Sequence, residues 1–294
     1  MNCNKCGEPT IKKGIRNGKQ RLLCKNNHWT WGHIIHPGNK ILLFDIETTP
    51  MEVFVWGLFN NKFISHDNVI ADWNILSWSA KWLCGSKIMS AVQTPDEAIG
   101  RDDYRILGKL WQLMDQADII IGHNIDRFDI KKINTRFYVN GYIPPSPYQT
   151  IDTLKAAKKS FAFSSNRLDY LGQLMTNKGK ISTNFDLWKR CLRGESKALK
   201  EMDTYCRGDV CLTEEVYFEL RPWIKSHPQV SWDTDGSHCP QCKGKNLTDS
   251  GGYYTATVNY YIAYRCDDCG SLSRALQSEL TAEDRKQLMR PLPR

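Results

Sequence analysis

The chain has 294 residues, 41% of them apolar and 24% charged, the balance of an ordinary globular protein with room for a full core in one to three domains. Its formal charge of +8 is uneven: residues 1–40 hold eight Lys or Arg against one acid, whereas residues 41–235 hold 24 basic and 25 acidic groups. No apolar run approaches the roughly 20 residues of a membrane span, and the N-terminus has no secretory apolar segment, so a cytoplasmic protein with no membrane partner is expected.

Residues 1–36 form a head rich in cysteine and lysine. Cys3 and Cys6 are followed by Cys24 and, in "CKNNHW", by His28. Three thiolates and an imidazole are an acceptable zinc set, with His33 competing for the fourth place. "RNGKQR" (16–21) reads as a hairpin tip, and its cations suit phosphate contacts that release counterions. The run from Cys3 to Trp29 resembles zinc ribbons of some DNA-binding and transposition proteins. "HPGN" (36–39) is a turn signal that closes the head.

Residues 40–225 alternate strand-like and helix-like patterns, which predicts an α/β domain. "KILLFDIE" reads as a buried strand, and "ILSWSAKWL" (75–83) as another with Trp78 and Trp82 on one face. "DYRILGKLWQLMDQ" (103–116) places Ile106, Leu107, Leu110 and Met114 on one helical face. "ADIIIGHN" (117–124) is a short strand stopped at Gly122, and "FDIKKINTRFYVNG" (128–141) a helix stopped at Gly141. "NRLDYLGQLM" (166–175) and residues 196–220 are helical. A proline-containing linker (222–240) leads to a second cysteine module at 237–272, and a charged tail, 273–294, ends the sequence.

That second module is C-x2-C, 23 residues, C-x2-C: Cys239, Cys242, Cys266 and Cys269. Four thiols in two close pairs suit a closed, structural zinc site, and the tyrosine-rich stretch between them can form the strands of a ribbon. The remaining cysteines, Cys84, Cys191, Cys206 and Cys211, show no ligand spacing, and Cys206 beside Tyr205 reads as a small packing residue on its helix.

The chemistry lies among the acids. Asp45 and Glu47 are i and i+2 on a strand, so both carboxylates share one face. Asp129 opens a helix just after the strand that ends at Gly122. Tyr205 and Asp209, at i and i+4, share one face of another helix. Four carboxylates suit a pair of hard, oxygen-seeking ions such as Mg²⁺ or Mn²⁺. Asp126 is a rival to Asp129, His123 reads as a packed or capping histidine, and Asp152 as a helix N-cap.

"FDIETTP", "NIDRFD" and "YCRGD", in this order, resemble the three motifs of the DEDD superfamily of 3′–5′ exonucleases. They look most like the proofreading domain of family-B DNA polymerases, with "RLDYLGQLM" similar to a helix between the second and third motifs. Tyr205, four residues before Asp209, selects the tyrosine (DEDDy) branch; the position of the sister branch's histidine is Thr204 here. The resemblance implies a ribonuclease-H-like mixed sheet with flanking helices, to which the cysteine spacings add two small zinc-ribbon modules. It also implies two-metal hydrolysis, with Asp45 bridging both ions, Glu47 and Asp209 completing one site and Asp129 the other. Tyr205 would orient the attacking water, and Asn124 and Phe128 would approach the substrate. A free-standing enzyme is expected, with two catalytic Mg²⁺ or Mn²⁺ and two structural Zn²⁺. Its partner would be nucleic acid, DNA ahead of RNA, and a polymerase or repair complex could accompany it.

Overall fold

The structure is a computed structural model that describes residues 6, 8, 10–16, 19–26, 28–34, 39–59, 63–229, 238–256 and 259–289. Near the N-terminus, strands β1 (Thr10–Arg16), β2 (Lys19–Cys24) and β3 (Trp29–Ile34) form an antiparallel sheet. Strand β4 (Ile41–Thr48) follows, and β5 (Glu52–Val53) pairs with β6 (Val69–Ala71). Next come β7 (Ile75–Trp82), β8 (Ile88–Val92), helices α1 (Pro95–Gly100) and α2 (Tyr104–Asp115), and β9 (Ile119–Gly122). Helix α3 (Asp129–Val139), strand β10 (Gln149–Asp152) and helices α4 (Thr153–Ser160), α5 (Leu168–Thr176), α6 (Phe185–Leu192) and α7 (Ser196–Leu220) complete the middle. A last sheet holds β11 (Leu247–Ala256), β12 (Asn259–Cys266) and β13 (Leu272–Arg274), followed by the short helix α8 (Ala282–Lys286).

The central sheet has the order β10-β9-β4-β7-β8. β9 runs parallel to β4 and β10 parallel to β9, while β7 is antiparallel to its neighbours, so the sheet is mixed. Alternation along β4 divides the core. Leu42, Phe44 and Ile46 join Trp78 and Ala80 beneath α2 and α3, against Ile106, Leu107, Leu110, Met114, Ile133 and Phe137. Trp82 packs on the same cluster, as its spacing from Trp78 predicts, and the Trp78 indole donates to Ile106 O at 2.7 Å. The odd residues Ile41 and Leu43 face the other way, onto Val210 and Tyr217 of α7. α7 is thereby held against the face of β4 that carries Asp45 and Glu47.

The long periodic elements fall where the sequence predicts them, with residues 196–220 forming one helix throughout. Strand 75–83 ends one residue early, and the apolar strand at 117–124 contracts to Ile119–Gly122. Gly141, beyond the end of α3, takes φ 76°, the left-handed conformation that suits a stop. Part of the charged tail takes regular structure. β13 extends past residue 272, and Thr281 and Asp284 form a capping box that starts α8. β5, β6, β8, β10, α1 and α6 go unanticipated because elements of two to eight residues leave too few repeats to show a period. Residues 35–38 of the first turn signal and 230–237 of the linker lie outside the described residues.

One glycine governs how α5 meets α7. A Cβ on Gly172 would stand 2.6 Å from Lys178 O and 2.7 Å from a Leu212 methyl. Gly172→Ala should therefore cost about 1–3 kcal/mol in urea unfolding and displace the loop at Lys178–Lys180. A stability change below about 0.5 kcal/mol would show that the α5–α7 contact yields easily.

Candidate active site and cysteine clusters

β4 directs Asp45 and Glu47 toward α7, where Asp209 comes up from the helix. Ligand-capable oxygens of these three carboxylates lie within 4.8 Å of one another. Asp129 stands beside this trio rather than in it. It is buried at the start of α3, and its Oδ1 accepts from Ile46 N at 3.2 Å, which locks the motif on β9–α3 to the motif on β4. Asp209 is also buried, and its Oδ1 has no hydrogen-bond partner.

Such crowding changes the acidity of every member. Burial, then the charges of Asp129, Glu47 and Asp209, push Asp45 well above the usual 3.8. Burial and Asp209 push Glu47 from 4.5 up to about 8. Burial likewise raises Asp129 to about 7, although backbone N–H groups oppose it. Asp209 is raised by burial against the pull of Lys180. An all-oxygen donor set with surplus negative charge and an orphaned carboxylate oxygen fits one or more hard divalent cations.

Lys180 is the residue beside the acids that sequence reasoning missed. Its Nζ pairs with Asp209 at 2.5 Å and lies 4.9 Å from the centre of the Tyr205 ring. Burial works against the ammonium, but Asp209 and the Tyr205 hydroxyl outweigh it and raise the Lys180 pKa. It sits in "NKGKIS", in a loop between α5 and α6, with no spacing relation to any acid. The one sequence signal was a lysine between two of the acidic motifs.

Tyr205 shares its face of α7 with Asp209, and its ring meets Trp188 edge-on at 6.1 Å. Burial raises its hydroxyl to about 12 despite the Lys180 contact, so the phenol stays protonated at neutral pH. Cys206, the next residue, is wholly buried; its thiol lies 3.5 Å from Asp45 O and 3.7 Å from Asp45 Oδ2. Burial pushes that thiol far up, which leaves it inert as a nucleophile.

The other residues singled out in the second motif separate. Asn124 takes a left-handed φ of 64° and donates its N–H to Asp152 Oδ1 at 3.0 Å. Together with Lys180 and Arg167 it borders an open pocket beside the acids. Phe128 is 39% exposed, with Lys132 Nζ 5.7 Å from its ring. Asp126 turns outward to an ion pair with Lys155 at 2.7 Å and stands apart from the acid trio. His123 bonds Thr153 Oγ1 at 2.9 Å, and burial lowers it to about 4, so it is neutral and packed. Asp152 accepts from Leu154 N and Lys155 N and caps α4.

Two cysteine clusters accompany the acids. Sγ atoms of Cys239 and Cys269 are 3.8 Å apart, and those of Cys242 and Cys266 3.6 Å. A zinc ion with Zn–S near 2.3 Å spaces its tetrahedral sulfurs by about 3.8 Å, so this set is compatible with a zinc ribbon. In the N-terminal sheet, ligand atoms of Cys6, Cys24 and His28 lie within 4.8 Å of one another, with Cys6 and Cys24 Sγ at 3.7 Å. Cys3 and the side chain of His33 lie outside the described residues.

Residues 85–221 match the family model described as the RNase_H superfamily. The matched stretch contains Asp129, Tyr205 and Asp209 and stops short of β4, so Asp45 and Glu47 join them through the sheet. This match agrees with the mixed five-stranded sheet and its flanking helices, and together they support a ribonuclease-H-like fold. No curated protein matches the chain. Among the described residues no helix is long and apolar enough to cross a membrane.

The shifted acids give the ion-free protein a distinctive pH dependence. Glu47 titrates near 8 when folded against 4.5 ordinarily, so between these values the folded state binds more protons than the unfolded chain. Its contribution is intact below about 4.5 and is lost as pH rises toward about 8. Mg²⁺ or Mn²⁺ should therefore raise the Tm more at about pH 8 than at about pH 5.5. Equal shifts at both values would count against the trio as a cation site. Elemental analysis should find about two zinc per chain, with Cys266→Ser removing one and Cys24→Ser the other.

Proposed function

We propose that this protein is a metal-dependent 3′–5′ exonuclease that shortens single-stranded DNA and releases 5′-mononucleotides. The observation that carries the reading is the convergence of Asp45, Glu47 and Asp209, with Asp129 alongside, from motifs that are up to 164 residues apart in sequence. Asp45, Glu47 and Asp209 would hold one divalent ion, and Asp45 with Asp129 a second. When bound, such ions neutralise charge on the phosphoryl group and activate the attacking water.

The chain's own side chains divide the remaining work. Tyr205, neutral across the physiological range, is a hydrogen-bonding hydroxyl that orients water rather than a base that removes its proton. Lys180 holds Asp209 and touches Tyr205, so it positions both and supplies positive charge beside the reacting phosphate. Asn124 and Phe128, at the rim, would orient the terminal nucleotide, Phe128 by offering its exposed face to a base. The two cysteine clusters would each hold structural zinc, and the basic N-terminal sheet would add sequence-independent phosphate affinity. DNA is preferred to RNA on the strength of the motif resemblance, and RNA is the second substrate to test.

Strands of DNA and RNA labelled at the 5′ end and incubated with Mg²⁺ or Mn²⁺ decide the matter. A ladder shortening from the 3′ end is expected on DNA. Asp45→Ala should reduce the rate by roughly 10³-fold or more, and Tyr205→Phe by roughly 10²-fold, with little change in strand binding. Internal cuts in place of a ladder would refute the exonuclease assignment, and unimpaired cleavage by Asp45→Ala would refute the site.

A further inference from the structure

The C-terminal sheet docks beside the end of α7, where Gln241 Nε2 comes within 3.5 Å of Ile224 O. The junction leaves a cavity of about 380 Å³. The nuclease body contributes Lys40, Trp82 and Arg221 to its wall, and the cysteine module contributes Gln241 and Lys243. Among the described residues that line it there is no Asp or Glu. Arg221 and Gln241 are each part-buried where they line it.

The cavity is separate from the acid cluster. Arg221 follows Asp209 by 12 residues at the far end of α7, about 18 Å away at 1.5 Å per residue. Lys40 likewise precedes β4, whose acids lie toward its other end. Lys40 Nζ is 5.9 Å from the centre of the Trp82 ring and bonds Gln116 Oε1 at 3.4 Å, so a cation stands over an aromatic wall. The Arg221 guanidinium is steadied above the Phe218 ring at 5.0 Å.

We propose that this cavity binds a nucleoside phosphate. The phosphate takes the space among Lys40, Arg221 and Lys243, and the Arg221 guanidinium donates to it. The ring lies along Trp82, with the Gln241 side chain beside it. The volume falls within the roughly 300–1,000 Å³ of small-ligand sites and suits one nucleotide. The choice of a nucleotide over other phosphates rests on the nuclease reading. Its source is either a free mononucleotide or one residue of a bound strand. The same three cations could instead balance the thiolate charge at Cys242, and that role would leave the cavity without a ligand.

The test uses full-length, zinc-loaded Asp45→Asn protein without added divalent ions, so that cleavage plays no part and the acid cluster is disabled. Inorganic phosphate, dAMP and a short oligodeoxynucleotide are each titrated by calorimetry. Saturable binding of dAMP, tighter than phosphate, is expected, and Lys40→Ala and Arg221→Gln should each weaken it about tenfold or more with zinc content unchanged. Binding of the oligonucleotide but not of dAMP, with the same losses in both variants, would support the site and assign the nucleotide to a strand. Lys40 is exposed, so Lys40→Ala reports even where Arg221→Gln does not fold. Binding of neither ligand, affinities unmoved by Lys40→Ala, or variants whose only defect is zinc loss would overturn the proposal.

Discussion

Mutual repulsion among four carboxylates is the constraint on which this structure turns. Asp45, Glu47, Asp129 and Asp209 meet where burial already disfavours their charge, and every one of them is pushed upward in pKa. A fold left to optimise its own stability would spread them apart. They are held together instead by a well-packed strand and helix, Ile41 and Leu43 of β4 against Val210 and Tyr217 of α7. Lys180 relieves part of the repulsion at Asp209, and the orphaned Asp209 oxygen marks where relief is incomplete. The deficit of positive charge is what suits the site to a divalent ion.

The rest of the domain can be understood as support for that arrangement. Ile46 N donates to Asp129, so the edge of β4 sets the place of the second motif directly. Asp152 takes four backbone N–H groups, from Asn124, Asp126, Leu154 and Lys155, and so fixes the turn that carries Asn124 while capping α4. Gly122 is required at the start of that turn, because a Cβ there would lie 2.6 Å from an Ile125 methyl. Farther along α7, Glu214 pairs with Lys81 of β7 and accepts from Cys84 N, tying the helix to the sheet away from the acids. α7 thus reaches from the acid cluster at Tyr205 and Asp209 to the cationic junction at Arg221.

Much of this was legible beforehand, for reasons that can be named. β4, α2 and α7 are long enough for their apolar periods to stand out, and Asp45 with Glu47 fall on one face by strand geometry alone. The short edge elements β8 and β10 were invisible because five and four residues cannot establish a period. Asp126 and Asp129 could be ranked by motif position, but their distance from the trio could not. Lys180 escaped because a lysine on a flexible stem declares no partner until the loop that carries it is placed.

Residue order and alternation by themselves determined the alternating α/β pattern, the carboxylate motifs on their elements, and the two cysteine sets. Those are local matters, governed by the 2.0 and 3.6 residue periods and by ligand spacing within a few residues. Tertiary structure alone decided that Asp129 flanks the trio, that Lys180 answers Asp209, and that Arg221 and Gln241 line one cavity. Each of these depends on the meeting of segments distant in sequence, and the energies that bring them together come from packing and charge summed over the whole fold.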